Sequence, residues 1–293
     1  MENKANNIDQ SLDSNTIWKN GSAPQQQVNQ EQIQLDGFKL KNTSEIWTEN
    51  VKIKAHEVDF HRHATLESIC RHFQEAAWNH ADSLGVGYKH LKDQQKIWVL
   101  SRLQIMFEQY PQWGDSIRVI TWPRTVESLF AMRDFEIETP EGKRIVAGNS
   151  AYLAIHSETH RPQRVEKLLA NLPQLSHRCA FPESPEKLPE MTDGDCQFTF
   201  RVGFSDIDMH YHVNNTRYVG WLLDAYSMDY HSNHQVVRIE INYLGEARCG
   251  DILAVKTCQM PENVYDHLVY KVENNMPICR ARFYWRLISE TMI

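Results

Sequence analysis

The 293-residue sequence repeats itself once, and this repeat constrains the fold more than any other feature. The segment DFHRHA at 59–64 matches DMHYHV at 208–213. Further along, RLQIMFEQYPQWGD from Arg102 matches RIEINYLGEARCGD from Arg238, with the same spacing from arginine to glycine. Because both matches occur in the same order, they indicate an internal duplication.

Each copy shows the same hydrophobic pattern. Apolar residues alternate near 51–55 and again at 198–202, which predicts a strand in each copy. Helix-spaced apolar residues follow at 66–84 and in the run TRYVGWLLDAY, and about four strand-like segments come after each. Strands that bury one face on a long helix predict an antiparallel sheet wrapped around that helix, which is an α+β arrangement. Two such units are expected to pair into one body.

These patterns predict the domain boundaries. Residues 1–43 are dominated by Asn, Gln, Ser, Lys and Asp, so they bury too little apolar surface to offset ordering entropy and are expected to form a disordered polar tail. The two units are expected at 44–156 and 195–293. Residues 157–194 carry five of the eleven prolines and little periodicity, which predicts a linker.

Composition excludes several classes of function. The formal net charge is −7 and no basic block is present, so no nucleic-acid partner is expected. No apolar run reaches the roughly 18 residues needed to span a membrane, and the first residues do not match a secretory or organellar leader. The six cysteines form no CxxC pair and are expected to be reduced, which indicates a cytoplasmic protein.

The densest polar cluster is DIDMHYHVNN at 206–215, directly before the second helical run. Main-chain N–H groups at a helix start can hold an oxyanion, so the cluster suits chemistry on a carbonyl. On residue types alone, its aspartates could equally be turn or capping residues. Comparing the copies isolates Glu246, whose counterpart is Tyr110, so the second half is predicted to be the catalytic one.

The chain resembles the acyl-[acyl carrier protein] thioesterases, double hotdog enzymes that end fatty-acid synthesis. The resemblance extends from about Glu45 to Leu287 and rests on four segments: TLESICRHFQEAAWNHADSLG, IWVLSRLQIMFEQYPQWGD, FSDIDMHYHVNNTRYVGWLLD and INYLGEARCGD. It implies a tandem hotdog fold, a first half that shapes the acyl channel, and hydrolysis of fatty acyl-carrier thioesters. The core DxDxxxHVNNxxY is shared with hotdog thioesterases that act on coenzyme A esters.

Carried onto this sequence, the resemblance implies that Asp208, His212 and Glu246 are catalytic. Asp208 is expected to attack the thioester or orient water, with Glu246 as general base and His212 as the orienting group. The family's usual asparagine is His210 here, which could substitute for it or only fill space. A cysteine common in plant members is replaced by alanine at 247, so a thiolate mechanism cannot operate there.

The residues at the start of the second helix are expected to support catalysis. The N–H groups of Val213 and Asn214 are predicted to face the oxyanion. Asn214 and Asn215 are predicted to cap the helix and tie the loop. The HxH pairs with aspartate would suit zinc, but no distant ligand cluster accompanies them, so no metal and no cofactor are expected.

Three functions are therefore weighed. The first is hydrolysis of fatty acyl thioesters on acyl carrier protein. The second is hydrolysis of acyl-coenzyme A on the same fold, and the third is a non-catalytic hotdog protein that binds acyl chains. The third is kept open by His210 and by the alanine at 247. A homodimer is possible in each case.

Overall fold

The computed structural model describes residues 45–169 and 172–288, without the side chain of Lys167. The predicted polar tail at 1–43 lies outside these residues. Within the described part, no helix is both long and apolar enough to span a membrane.

The first half contains one long helix, one short helix and five strands, in the predicted order. The elements are β1 (Trp47–Lys52), α1 (Leu66–Ser83), α2 (Tyr88–Lys92), β2 (Lys96–Phe107), β3 (Ser116–Glu127), β4 (Phe130–Glu138) and β5 (Arg144–His156). Two short elements follow in the predicted linker: β6 (Pro162–Gln163) and α3 (Glu166–Leu169).

The second half repeats the series. Its elements are β7 (Asp195–Arg201), α4 (Asn215–Leu223), α5 (Met228–Asn233), β8 (His234–Tyr243), β9 (Ile252–Met260), β10 (Val264–Lys271) and β11 (Pro277–Leu287). The short helices α2 and α5 were not predicted. In each case only one or two turns form, which is too short for hydrophobic periodicity to be visible.

All strands form one antiparallel sheet in the order β1-β3-β4-β5-β2-β8-β11-β10-β9-β7, with β6 paired to β5. The order in one half is the reverse of the order in the other. At the centre, β2 pairs with β8, and Gln104 is the register partner of Glu240. The repeat also aligns these two residues, because each lies two positions after the matched arginine. A pseudo-twofold axis therefore passes between the halves.

The long helix α1 is packed inside the curve of the first half. Thr65 caps it by accepting the N–H of Ser68, and its inward face buries Ile69, Phe73 and Ala76 completely or nearly so. The strand opposite must carry glycine at 148, because a Cβ there would come within 2.5 Å of the Phe73 ring. The predicted sheet wrapped around a helix is confirmed.

Part of the predicted linker lies flat on the outer face of the sheet. Its main-chain groups bond to side chains from both halves: Trp122 Nε1 donates to the carbonyl of Arg178 at 3.0 Å. Asn242 Oδ1 accepts the N–H of Leu188 at 2.7 Å. Phe181 is also buried against the sheet. This segment of the linker therefore packs on strands of both halves.

Candidate active site

The polar segment before α4 forms a tight loop built on Asp208. Its N–H donates to the carbonyl of His212 at 2.9 Å, and its carbonyl accepts the N–H of Tyr211 at 3.0 Å. Tyr211 has a φ of 64°, in the left-handed region. Asp208 Oδ1 accepts the N–H of His210 at 2.8 Å. One carboxylate oxygen thus stabilises the loop, while the side chain stays partly exposed.

Asp206 holds the loop in place. Its Oδ2 accepts the N–H of Gly203 at 2.8 Å, and its Oδ1 pairs with Arg217 Nε at 2.9 Å. The same arginine reaches Glu67 on α1 at 3.1 Å. Because this aspartate is buried and fully engaged, it links the loop to both helices.

Glu246 lies between β8 and β9, and the loop is hydrogen-bonded next to it. The N–H of Val213 donates to the carbonyl of Ala247 at 2.9 Å, which fixes the separation of the two segments. His212 Nε2 lies 3.1 Å from Glu246 Oε2. Their side chains are 23% and 35% exposed, so solvent water can reach this pair. The fold therefore joins two residues that are 34 positions apart in sequence (246 minus 212).

The predicted oxyanion donors are not available. The N–H of Val213 is bonded to Ala247, and the N–H of Asn214 donates to the carbonyl of Asp206 at 2.9 Å. A donor that already has an acceptor in the loop cannot also hold a developing charge without breaking that bond. The prediction for these two groups is therefore wrong, since both N–H groups close the loop.

The two asparagines have different roles. Asn214 is the N-cap of α4, because its Oδ1 accepts the N–H of Thr216 at 3.0 Å. Asn215 is the first residue of the helix, so it is not a cap, and its carbonyl accepts the hydroxyl of Tyr243 at 3.2 Å. Within the described residues, no hydrogen bond is recorded from the N–H of Asn215, as expected for the first N–H of a helix.

A cavity of about 450 Å³ begins at this loop and extends into the first half. Asp208, His210, Asn214 and Asn215 line it on the loop side. The rest of its wall is mostly apolar and comes from the first half; it includes Phe73, Leu84, Leu91, Leu103, Met132 and Phe135. A mostly apolar space of this kind suits an aliphatic chain. His212 and Glu246 are not among its lining residues.

His210 points towards the first half. Its ring lies edge-on to Tyr88, with centroids 5.2 Å apart, and 6.3 Å from Trp78. Among the described residues, the ring makes no hydrogen bond to Asp208, His212 or Glu246. The residue that differs from the family's asparagine therefore joins an aromatic wall of the cavity, and its catalytic role stays a prediction.

Arg248 was missed in the sequence analysis. Its Nη2 lies 3.3 Å from His212 Nε2. Because arginine only donates, this nitrogen accepts from Arg248 in one tautomer and donates to Glu246 in the other. Its position two residues beyond Glu246 was the available signal, since alternate residues of an extended segment share a side.

Other reactive groups contribute little to this site. All six cysteines are unpaired, and Cys249 is exposed. Burial raises the pKa of the Cys70 thiol in the cavity wall to about 12, so it is not a nucleophile at neutral pH. No group of three or more His, Cys, Asp or Glu side chains suited to a metal ion occurs in the described part of the chain.

Two copies of an antiparallel sheet around a helix, with an aspartate, a histidine and a glutamate near an apolar cavity, define a double hotdog protein of the thioesterase type. Residues 44–172 match the model of the acyl-ACP thioesterase N-terminal domain, and residues 190–287 match that of the C-terminal domain. The chain belongs to the acyl-ACP thioesterase family, which confirms the predicted resemblance.

Curated relatives and solved structures agree with this assignment. The chain is 27% identical to oleoyl-acyl carrier protein thioesterase 2, chloroplastic, of Arabidopsis thaliana, over 91% of this chain and 82% of that protein. It is 25% identical to palmitoyl-acyl carrier protein thioesterase, chloroplastic, of Gossypium hirsutum, over 82% of this chain and 64% of that protein.

Among solved structures, an acyl-ACP thioesterase from Bacteroides thetaiotaomicron is 27% identical, with a TM-score of 0.72 over 83% of this chain and 98% of that one. The 12:0-ACP thioesterase from Umbellularia californica is 22% identical, with a TM-score of 0.75 over 84% of this chain and 98% of that one. At that identity the second likeness supports the fold alone. The predicted double hotdog fold is confirmed.

Proposed function

We propose that this protein hydrolyses the thioester between a fatty acyl chain and acyl carrier protein, releasing the free fatty acid. The observation that carries the proposal is the contact of His212 with Glu246, placed beside a loop whose Asp208 lines an apolar cavity. The acyl chain occupies the cavity in the first half, and the thioester carbonyl lies at the loop. The family of the chain supports the same reaction.

Asp208 is the group closest to the thioester in this arrangement. It lines the cavity, whereas His212 and Glu246 lie outside its wall. The N–H of Asn215 replaces the predicted oxyanion donors, because it is the first N–H of α4 and its residue also lines the cavity. The positive end of the helix dipole adds to this stabilisation.

The chemical step uses water. Glu246 accepts a proton from a water molecule that His212 and Asp208 orient, and the oxygen of that water bonds to the carbonyl carbon. The tetrahedral intermediate collapses, the C–S bond breaks, and the proton passes to the departing thiolate. The departing thiolate needs little help from a proton donor, because a free thiol has a pKa of about 8.5.

The proposal also covers the carrier of the acyl chain, the oligomeric state and the location of the protein. Acyl carrier protein is the proposed partner, and acyl-coenzyme A is the alternative that shares the fold. A homodimer and a cytoplasmic location are carried forward from the sequence as predictions. No cofactor enters the proposed step.

The test is release of free thiol from acyl-carrier and acyl-coenzyme A substrates of graded chain length. Wild type should turn over the carrier substrates with the higher kcat/KM, and Asp208→Ala and Glu246→Ala should each lose about a hundredfold or more. Asp59→Ala is the matched control in the other half. Higher kcat/KM on coenzyme A esters would reassign the substrate, and acyl binding without turnover would make the protein a non-catalytic hotdog protein that binds acyl chains.

A further inference from the structure

Arg133 on β4 is the one lysine or arginine among the described residues that line the cavity. Part of its side chain faces the cavity, so it is half-buried. The wall is mostly apolar, with Met132 and Phe135 on the same strand, but it also includes the polar Asn79, Thr125 and Tyr152. A cation in such a wall is unexpected for a cavity that accepts only plain hydrocarbon, because burying a charge costs free energy unless it is paired.

No carboxylate of the described residues neutralises this cation. The ionisable group that acts on Arg133 is the phenol of Tyr152. Burial lowers the pKa of the Arg133 guanidinium to about 10, so the side chain remains positively charged at neutral pH. The protein therefore keeps a charge in the cavity wall without the partner that would normally offset its desolvation.

The hydrogen bonds of Arg133 leave one particular edge open. Nη1 contacts His80 Nδ1 at 3.0 Å and donates to Thr121 Oγ1 at 3.2 Å. Within the described residues, Nε and Nη2 make no hydrogen bond, and neither atom is sealed in the interior. The two bonds fix the plane of the guanidinium, so its Nε–Nη2 edge is held as a preformed fork.

The same edge binds a carboxylate elsewhere in this molecule. Arg282 Nε lies 2.6 Å from Asp266 Oδ1, and its Nη2 lies 2.8 Å from Asp266 Oδ2. This paired geometry is the one that a guanidinium offers to planar carboxylates. Arg133 presents the equivalent two donors, and no described residue supplies the acid.

We propose that the cavity contains, at Arg133, a subsite for a carboxylate on an aliphatic chain, held by the Nε–Nη2 edge of this arginine. The inference rests on the proposed function in that it uses the same acyl cavity. The carboxylate has two possible sources: the far end of an ω-carboxyacyl thioester, or a free fatty acid that enters with its carboxyl group inward. Both present the same chemistry to Arg133.

The first arm of the test measures hydrolysis. An ω-carboxyacyl chain and its ω-methyl ester, matched in length, are each loaded on acyl carrier protein. We expect wild type to prefer the free acid by about 10- to 100-fold in kcat/KM, since hydrogen bonds to charged groups contribute about 1.5–3 kcal/mol. Arg133→Met should abolish the preference through KM, because the contact is equal in ground and transition states.

The second arm measures binding without turnover. Displacement of a fluorescent fatty acid by a long-chain fatty acid is compared with displacement by its methyl ester. Dependence on Arg133 in this arm alone would assign the subsite to free fatty acid, and dependence in the first arm would assign it to the substrate. Because this arm needs no catalysis, it tests the subsite even if no thioester is hydrolysed, which would defeat only the proposed function.

Two controls separate binding from folding. Arg133→Lys keeps the charge but loses the fork, so it should retain part of the preference. Arg133→Met should unfold cooperatively on heating as wild type does, which shows that a lost preference is not a lost fold. Equal treatment of acid and ester by wild type in both arms, or an unchanged preference in Arg133→Met, would overturn the proposal.

Discussion

The two polar loops of this protein have nearly the same main chain but different surroundings. Asp59 bonds to His63 in the first half as Asp208 bonds to His212 in the second, both through N–H to carbonyl contacts of 2.9 Å. Arg62 occupies the turn position of Tyr211, and each has a φ of 64°. The duplication has therefore preserved the loop as a structural unit.

What differs is the group beside the last histidine. His63 packs against the ring of Tyr110, with centroids 5.4 Å apart, and burial lowers the pKa of His63. Tyr110 donates its hydroxyl to the carbonyl of Val236 at 2.5 Å. At the equivalent place, His212 meets the carboxylate of Glu246. The loop is therefore a scaffold common to both halves, and only the second half places a carboxylate, that of Glu246, beside its last histidine.

The largest expected effect separates the two aspartates. Asp208→Ala should lower kcat by about 10²–10⁴, because the carboxylate nearest the thioester is lost. Asp59→Ala should leave kcat within a fewfold of wild type. Both variants should lose stability, and Asp59→Ala by about 1–3 kcal/mol, since its Oδ1 accepts the N–H groups of His61 and His63 at 2.9 Å.

Thiol release and urea unfolding measured on the same preparations check this pair. Comparable losses of stability with very different losses of kcat would support a scaffold shared by both loops. Equal kcat values for the two variants would show that the second half is not distinguished by Asp208.

The second largest effect on kcat is expected at Glu246, whose counterpart in the first half is Tyr110. Glu246→Gln should reduce kcat by about 10²–10³, because the amide cannot accept the proton of water. Tyr110→Phe should retain kcat and lose about 1 kcal/mol of stability with its hydroxyl hydrogen bond. Single-turnover rates report the first effect and denaturant titrations the second. A retained single-turnover rate in Glu246→Gln would contradict its role as base.

On the outer face of the sheet, Asp134 of the first half and Asp266 of the second half form a third matched pair. Asp134 and Asp266 occupy equivalent positions in the two halves of the sheet. Asp134 pairs in register with Asn149, which pairs with Gln104 on β2. In the same way, Asp266 pairs with Arg282, which pairs with Glu240 on β8. Asp266 is partly exposed and paired with Arg282, whereas Asp134 is fully buried and its Oδ2 accepts the N–H of Ala180, in the linker, at 2.7 Å. Burial raises the pKa of Asp134 to about 6.

The raised pKa of Asp134 makes the stability of the protein depend on pH. An acid whose pKa is raised in the folded state binds protons more tightly there, so its contribution to stability falls as pH rises from about 4 to about 6. The size is on the order of 2–3 kcal/mol. Asp134→Asn should remove this slope from the free energy of unfolding, measured between these pH values, and Asp266→Asn should leave it. An unchanged slope in Asp134→Asn would exclude burial of this carboxyl as its cause.

Sequence reasoning was most successful where the repeat or the hydrophobic period carried the signal. The long helix α1 and the strand series followed from hydrophobic periodicity. Comparing the chain with itself singled out Glu246, whose catalytic role stays a prediction. The contact of Glu246 with His212 then required only that two matched segments be adjacent, and the hydrogen bond from Val213 to Ala247 provides that.

The remaining features depend on tertiary hydrogen bonds that no pattern encodes. The N–H of Asn214 is consumed by Asp206, which is visible only once the loop is closed. Likewise, Arg133 lies in an ordinary alternating strand, and its open donor edge depends on His80 and Thr121, which come from other segments. Low periodicity in the linker concealed its packing, because its main-chain hydrogen bonds and its few buried side chains, such as Phe181, follow no helix or strand period.

The smallest expected effect tests the histidine that replaces the family's asparagine. His210→Asn should keep kcat and raise KM by a fewfold, since an edge-on aromatic contact such as that with Tyr88 contributes about 0.5–1.5 kcal/mol. Its main-chain bond to Asp208 survives the substitution. His61→Asn, the matched change, loses a contact with the carbonyl of His231 and should alter neither constant. Steady-state kinetics on long-chain substrates distinguishes a catalytic role of His210 from a role in the cavity wall. A hundredfold fall in kcat for His210→Asn would place its ring in the reaction, whereas an effect on KM alone would make it part of the cavity wall.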